Sequence, residues 1–290
     1  MPNKLATSMC MILSIVSLFL LSCGSPRKMR TDSGDPDDYV KRGVAYANVG
    51  QSDEAILEFN KALEINPRLV DAYLHRGVAY GRKNKFDQAL SDFDKVLEIN
   101  PGHAHAYLYR GVTYELKRRF DQAISDYTKS LEIYPGFAEA YRNRGNTYVL
   151  MHEYTKAIDD FNRALEINPT MAEVYAGRGW AYGRLYQYKQ AILDYTKALE
   201  INPTFAEAYD GRGWVYYQQY QYDQAISDFT RAIENNQKFA VAYYNRGLAY
   251  WTMKDFEKAL QDFSKAQELG HQVPPKYFSE LRKTMKLLAE

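Results

Sequence analysis

Gly43, Gly77, Gly111, Gly145, Gly179, Gly213 and Gly247 stand 34 residues apart without an exception. A period of this length means one small unit used repeatedly, too small to bury its own apolar face and therefore stacked on the next copy. Other columns keep the same register. Tyr lies three residues after every glycine, from Tyr46 to Tyr250, and four before it, from Tyr39 to Tyr243. Ala follows by twelve (Ala55 to Ala259), Phe or Tyr by sixteen (Phe59 to Phe263), and Pro by twenty-four at Pro67, Pro101, Pro135, Pro169 and Pro203. Small residues in the Gly and Ala columns let two helices approach closely, and the rings fill the space around that contact. Each proline ends the second helix, because the residue before it is pushed out of the α region.

These columns, as in AYLHRGVAYGRKNKFDQALSDFDKVLEINP at 72–101, resemble the tetratricopeptide repeat over roughly residues 36–273. The resemblance implies an all-α fold: a right-handed solenoid of about seven helix-turn-helix repeats with a groove on its inner wall. The repeats are expected at 36–69, 70–103, 104–137, 138–171, 172–205, 206–239 and 240–273. After them, 274–290 place Phe278, Leu281, Met285 and Leu288 at helical spacing, as a capping helix for an open end would. One column departs from the family pattern. The residue before each glycine is Arg (Arg42, Arg76, Arg110, Arg144, Arg178, Arg212, Arg246) where the pattern has Leu. A ladder of arginines suits phosphate, yet an acid stands fifteen after every glycine, from Glu58 and Asp92 to Asp262, so internal Arg–carboxylate pairs are the expectation.

On the first helix of each repeat the structural columns form one stripe, and the positions three before, one after and four after the glycine form a second, about 100° or more away. In the family this second stripe lines the groove. Trp180 and Trp214 follow their glycines directly, and Trp251 is four after Gly247; Tyr217 and Tyr244 share the stripe, where the first three repeats carry Val44, Val78 and Val112. Two readings stay open: the indoles pack between neighbouring first helices, or they anchor a partner, since Trp, Tyr and Arg dominate binding hot spots. Arg142, Asn146, Arg184 and Gln218 map to the same face as polar contacts for a partner. The carboxylate clamp that the resemblance brings to mind matches at Arg142 and Asn146 but fails at Gly177, Glu207 and Gly211, so chaperone-tail binding is not expected.

The 37 basic and 36 acidic residues nearly cancel, which gives no field for nucleic acid. His75, His103, His105, His152 and His271 show no metal spacing, and no phosphate loop or nucleophile elbow occurs. No cofactor and no enzyme activity are expected. At the N-terminus, Lys4 precedes an apolar run from Cys10 to Leu21, the anatomy of a signal peptide over 1–22. Leu20-Leu21-Ser22-Cys23 resembles a bacterial lipobox, which implies diacylation of Cys23; an ordinary secretory signal with a chance cysteine is the alternative. Residues 23–35 then form a flexible tether. The expected picture is a lipid-anchored scaffold of the bacterial cell envelope, at the outer membrane and facing the periplasm. Its groove would take a protein or peptide segment, in envelope, secretion or pilus assembly, or alternatively a glycan stacked on the aromatics.

Overall fold

The computed structural model describes residues 34–289; residues 1–33, with Cys23 among them, and Glu290 lie outside the described set, as do the side chains beyond 284. Among the described residues there are fifteen helices and no strand. They form antiparallel pairs joined by short turns: α1 Pro36–Asn48 with α2 Ser52–Ile65, α3 Val70–Arg82 with α4 Phe86–Ile99, α5 Ala104–Leu116 with α6 Phe120–Ile133, and α7 Ala138–Leu150 with α8 Tyr154–Ile167. These four pairs make one compact unit ending at Ile167. A second unit begins at Asn168 and holds α9 Ala172–Arg184, α10 Tyr188–Ile201, α11 Ala206–Gln218, α12 Tyr222–Asn235, α13 Ala240–Thr252, α14 Phe256–Glu268 and the final α15 Pro275–Ala289. None of these helices is long and apolar enough to cross a membrane.

The columns of the sequence become the core of each pair. Phe59, Phe93, Phe161, Phe229 and Phe263 are essentially inaccessible, as are the alanines from Ala55 to Ala259. The glycine column is a fit requirement: a Cβ on Gly213 would come within 2.9 Å of the Phe229 ring. The turn inside each pair is held by backbone geometry rather than by side-chain chemistry. Gly50, Asn84, Arg118, His152, Tyr186, Tyr220 and Lys254, again 34 apart, all adopt the left-handed conformation with φ between 57° and 80°. The next N–H then reaches back to the tyrosine carbonyl of the first helix, as Lys85 N does to Tyr80 O at 2.9 Å, closing a Schellman-type end. At the other turn, Asn66, Asn100, Asn202 and Asn236 are extended at the helix C-cap. Each accepts through Oδ1 the N–H two residues on.

The arginine column pairs internally. Arg144 holds Asp160 with Nε and Nη2 at 2.8 and 2.7 Å, and Arg76, Arg110, Arg178, Arg212 and Arg246 make the same two-point contact to their own acids. The remaining nitrogen reaches sixteen residues back, from Arg76 to Asn60, Arg110 to Asp94, Arg144 to Thr128, Arg212 to Thr196 and Arg246 to Thr230. Each guanidinium also lies over a tyrosine ring, Arg144 over Tyr141 at 5.6 Å. Burial pushes the Asp92, Asp126, Asp160 and Asp262 carboxyls up while the guanidiniums pull them down. The two-point geometry keeps these pairs ionic, and the arginines titrate above their ordinary value. Within each unit this ladder joins successive repeats, and its arginines are taken up by their own acids rather than left as an open row for phosphate.

At the C-terminal end, α15 covers the last pair. Leu281 is fully buried, Val273 nearly so, and Phe278 and Tyr277 pack on Phe263. Met285 and Leu288, expected on the same face, have side chains outside the described set.

Candidate functional site

The second stripe is different in the two units. In the first, α5 and α7 close it from within. Val112 is 5% exposed, and Glu115, on the next turn of the same stripe, is equally buried. Glu115 Oε2 accepts from the Tyr127 hydroxyl at 3.1 Å and from Thr147 Oγ1 at 2.7 Å. Complete burial and this carboxylate hold the Tyr127 phenol well above its usual range, with Arg142 close enough to pull it back. Arg142 and Asn146 are themselves buried, at 5% and 3% exposed, and Arg142 Nε donates to Asn143 Oδ1 at 3.2 Å. Neither side chain presents a surface to an incoming molecule.

In the second unit the stripe carries the indoles. Trp180, on α9, is half-buried, with the exposed Arg184 guanidinium 5.5 Å over its ring. Trp214, on α11, is 39% exposed and stacks on Tyr217 at 5.3 Å with the rings 15° from parallel. Tyr217 touches Tyr222 at 5.5 Å, and Tyr222 meets Tyr220 edge-on at 6.3 Å. Tyr220 itself is 80% exposed, so four rings run without a break from the stripe to the turn. The Tyr217 hydroxyl lies 3.2 Å from Thr252 Oγ1 on α13, and Gln218 is exposed. Tyr244 and Trp251, on α13, are placed otherwise. Tyr244 packs on His271, Phe263 and Tyr277, and Trp251 on Tyr277, Phe256 and Phe263, so both rings are engaged with the end of the chain. Burial and the neighbouring phenol push the Tyr244 hydroxyl up to about 12. The rim of Trp251 borders a shallow pocket with Lys254, Glu280 and Lys283.

Reading the stripe for aromatics and arginines passes over Asp210. It stands three before Gly213, where the other repeats hold Val40, Leu74, Leu108, Arg142, Ala176 and Tyr244. Asp210 is 7% exposed, and Asn245 Nδ2 donates to its Oδ1 at 2.9 Å. Burial above all pushes this carboxyl up to about 7, and the Glu207 carboxylate on the same helix adds to the rise, while the amide opposes both. The appearance of the column's single acid, where Arg142 is its other charged member, is the signal that would have found it. Beside it, Gly211 makes room for a neighbour: a Cβ there would lie 2.5 to 2.6 Å from the Tyr195 ring and hydroxyl. Among the described residues no group of three or more His, Cys, Asp or Glu side chains is placed to hold a metal ion.

Comparisons agree with this architecture. A family model described as tetratricopeptide repeat matches residues 70–103, 104–137, 138–171, 172–205 and 240–272, and a second, TPR repeat, matches 43–84 and 213–254. A tetratricopeptide repeat protein from Parabacteroides merdae is similar in structure, with TM-score 0.66 at 20% identity over 86% of this chain and 98% of its own. MamA is 30% identical over 57% of this chain and 96% of its own, with TM-score 0.52. YrrB, described as a TPR protein with an unusual peptide-binding site, is 29% identical over 61% of this chain and 92% of its own, with TM-score 0.50. No protein of curated function matches the sequence.

Proposed function

The chain belongs to the tetratricopeptide repeat family, and on that premise we propose that it is a non-enzymatic scaffold that binds a protein segment along the second stripe of its C-terminal unit. The observation that carries this reading is the exposed Trp214–Tyr217 stack. An indole left 39% exposed contributes little to its own fold, whereas large rings of low side-chain entropy are the usual anchors of protein interfaces. The peptide-binding site named for YrrB supports the same mode of use. The four connected rings would also offer faces to sugars. The acids Glu207 and Asp210 beside them favour a peptide, whose backbone amides and basic side chains suit carboxylates better than a neutral glycan does.

The scaffold is further proposed to be tethered by lipid at Cys23 to the bacterial envelope, at the outer membrane and facing the periplasm. Leu20-Leu21-Ser22-Cys23 after an apolar run supports this. A role in envelope, secretion or pilus assembly follows from that address. The test is affinity capture with the full chain against a Trp180→Ala, Trp214→Ala double variant. A specific protein should co-purify with the parent and not with the variant, whose helix content by circular dichroism stays unchanged. Equal capture by both would end the reading. Replacement of Cys23 by Ser should abolish incorporation of labelled palmitate and partition into detergent; persistence of either would remove the anchor.

A further inference from the structure

Repeats five and six carry the same stripe with two exchanges. On α9 it reads Glu173, Ala176, Trp180, Arg184, and on α11, 34 residues later, Glu207, Asp210, Trp214, Gln218. Successive members are three or four residues apart, so they share one helix face. In repeat five an acid and a cation balance, and the cation is Arg184, lying over the Trp180 ring at 5.5 Å. In repeat six the cation has become neutral Gln218 and a second acid, Asp210, has replaced Ala176. Neither Glu207 nor Asp210 is paired with a described cation. One face of Trp214 is covered by Tyr217, and among the described residues no cation lies over the other.

From these two exchanges we infer that the repeat-six stripe receives a lysine or arginine side chain of the bound segment, its cationic head over the open face of Trp214, against the half-buried Glu207 carboxylate and within the field of the buried Asp210. The inference rests on the binding reading above and specifies its partner: a basic segment with apolar or aromatic neighbours for the rings of Tyr217, Tyr222 and Tyr220. Repeat five is the internal template, in which the chain supplies to Trp180 the cation that the partner supplies to Trp214. Cation–ring contact with a desolvated carboxylate close by is among the stronger polar arrangements available to an interface. Asp210 has no packing reason to be an acid, because its column is otherwise apolar apart from Arg142 and its burial opposes ionisation. Retention of a residue that works against folding marks a binding position.

The test uses the full chain and three fluorescein-labelled decapeptides, alternating Arg and Phe, Gln and Phe, or Glu and Phe, read by anisotropy. The Arg–Phe peptide should bind at least tenfold more tightly than the Gln–Phe peptide, and the Glu–Phe peptide more weakly still. Gln218→Arg, which installs the repeat-five cation, should weaken Arg–Phe binding about tenfold with helix content unchanged. Asp210→Asn should weaken it severalfold. Equal binding of Arg–Phe by the parent and Gln218→Arg would overturn the inference. So would a Glu–Phe peptide that binds as tightly and depends on Trp214; in that case the scaffold reading stands and only the charge assignment falls. Absence of binding by all three peptides, with tryptophan quenching by a neutral oligosaccharide, would overturn both.

Discussion

The two units use one scaffold and treat the second stripe in opposite ways. In the N-terminal unit the stripe is closed along α5 and α7: Val112 is buried, and Glu115, Tyr127 and Thr147 satisfy one another under cover, with the Arg142 cation close by. In the C-terminal unit an indole is left 39% exposed and a carboxylate is buried against a single neutral amide. Specificity in such a repeat protein therefore resides in the positions that break the period. The columns that build helix pairs are constant from end to end, so they carry no information about a partner, while the few positions that leave the period are free to carry it. Internal satisfaction of charge marks a stripe used for stability, and a carboxyl met only by a neutral amide beside exposed rings marks one kept for something else.

The arginine ladder is the part the two units share. Loss of a carboxylate from the arginine ladder should cost the same in either unit: Asp160→Ala leaves Arg144 with Thr128, and Asp228→Ala leaves Arg212 with Thr196. The acids are almost fully buried and the arginines nearly so, which puts the expected loss at about 3 kcal/mol, near the lower end for a broken buried pair. Urea unfolding of the two variants measures it. A loss confined to one of them would mean that the ladder is not a common element.

Next come the tryptophans of the second unit, which look alike in sequence. Trp251 contacts Phe256, Phe263 and Tyr277 and should cost about 2 kcal/mol on truncation to Ala. Trp214 is partly open and should cost under about 1 kcal/mol. Thermal melts of Trp251→Ala and Trp214→Ala should therefore separate by several degrees, with Trp251→Ala the lower. The reverse order would return Trp214 to a packing role and Trp251 to the stripe.

Asp210 gives a prediction of opposite sign. Its carboxyl titrates near 7 in the folded chain against 3.8 ordinarily. Below about pH 4 the group is protonated whether folded or not and has no effect on stability. Between about 4 and 7 the unfolded chain releases this proton while the folded chain keeps it, so stability falls as pH rises. Above about 7 the penalty is complete and on the order of 4 kcal/mol. Asp210→Asn removes the charge and keeps an acceptor for Asn245, while its own amide needs a new partner. The variant should be more stable than the parent by about 2 kcal/mol at pH 8 and by little at pH 4, measured by urea unfolding at both. Destabilisation at pH 8 would show that the carboxylate is held by more than Asn245.

Much of this was legible in the sequence because a repeat prints each contact several times. The helix pairs, the glycine fit and the arginine–acid pairing follow from columns of matching count and fixed spacing. Three things were not legible, each for a physical reason. The left-handed turn position is occupied by Gly, Asn, Arg, His, Tyr, Tyr and Lys, so no residue type announces it; the backbone hydrogen bonds of the helix end impose it. The Asp210–Asn245 contact occurs once: Asp210 is the one acid in its column, and the Asn of the other column recurs only at Asn143, so periodicity hides it. Trp251 and Tyr244 share the stripe by spacing, but part of their surroundings comes from His271, past the end of α14, and from Tyr277 on α15, neither of which belongs to a repeated column.

The smallest expected effect tests whether the rim of the second unit follows the same rule as its stripe. Tyr186 and Tyr220 hold the left-handed turn at φ 60° and 63° while 78% and 80% exposed, at positions where the first repeat has Gly50. A side chain there costs about 1 kcal/mol or more in backbone strain, and Asn tolerates the conformation better than Tyr does. Tyr220→Gly should relieve that strain and, after the entropy that glycine adds to the unfolded chain, stabilise by about 0.5 kcal/mol. The matching Asn84→Gly in the first unit should change stability by less. If the rim tyrosines serve the partner, Tyr220→Gly should also weaken capture while raising the melting temperature, since strain retained at an exposed ring has no folding benefit to explain it. A variant that melts lower would mean instead that the edge-on contact with Tyr222 outweighs the strain, and the rim would then belong to the scaffold as the closed stripe of the first unit does.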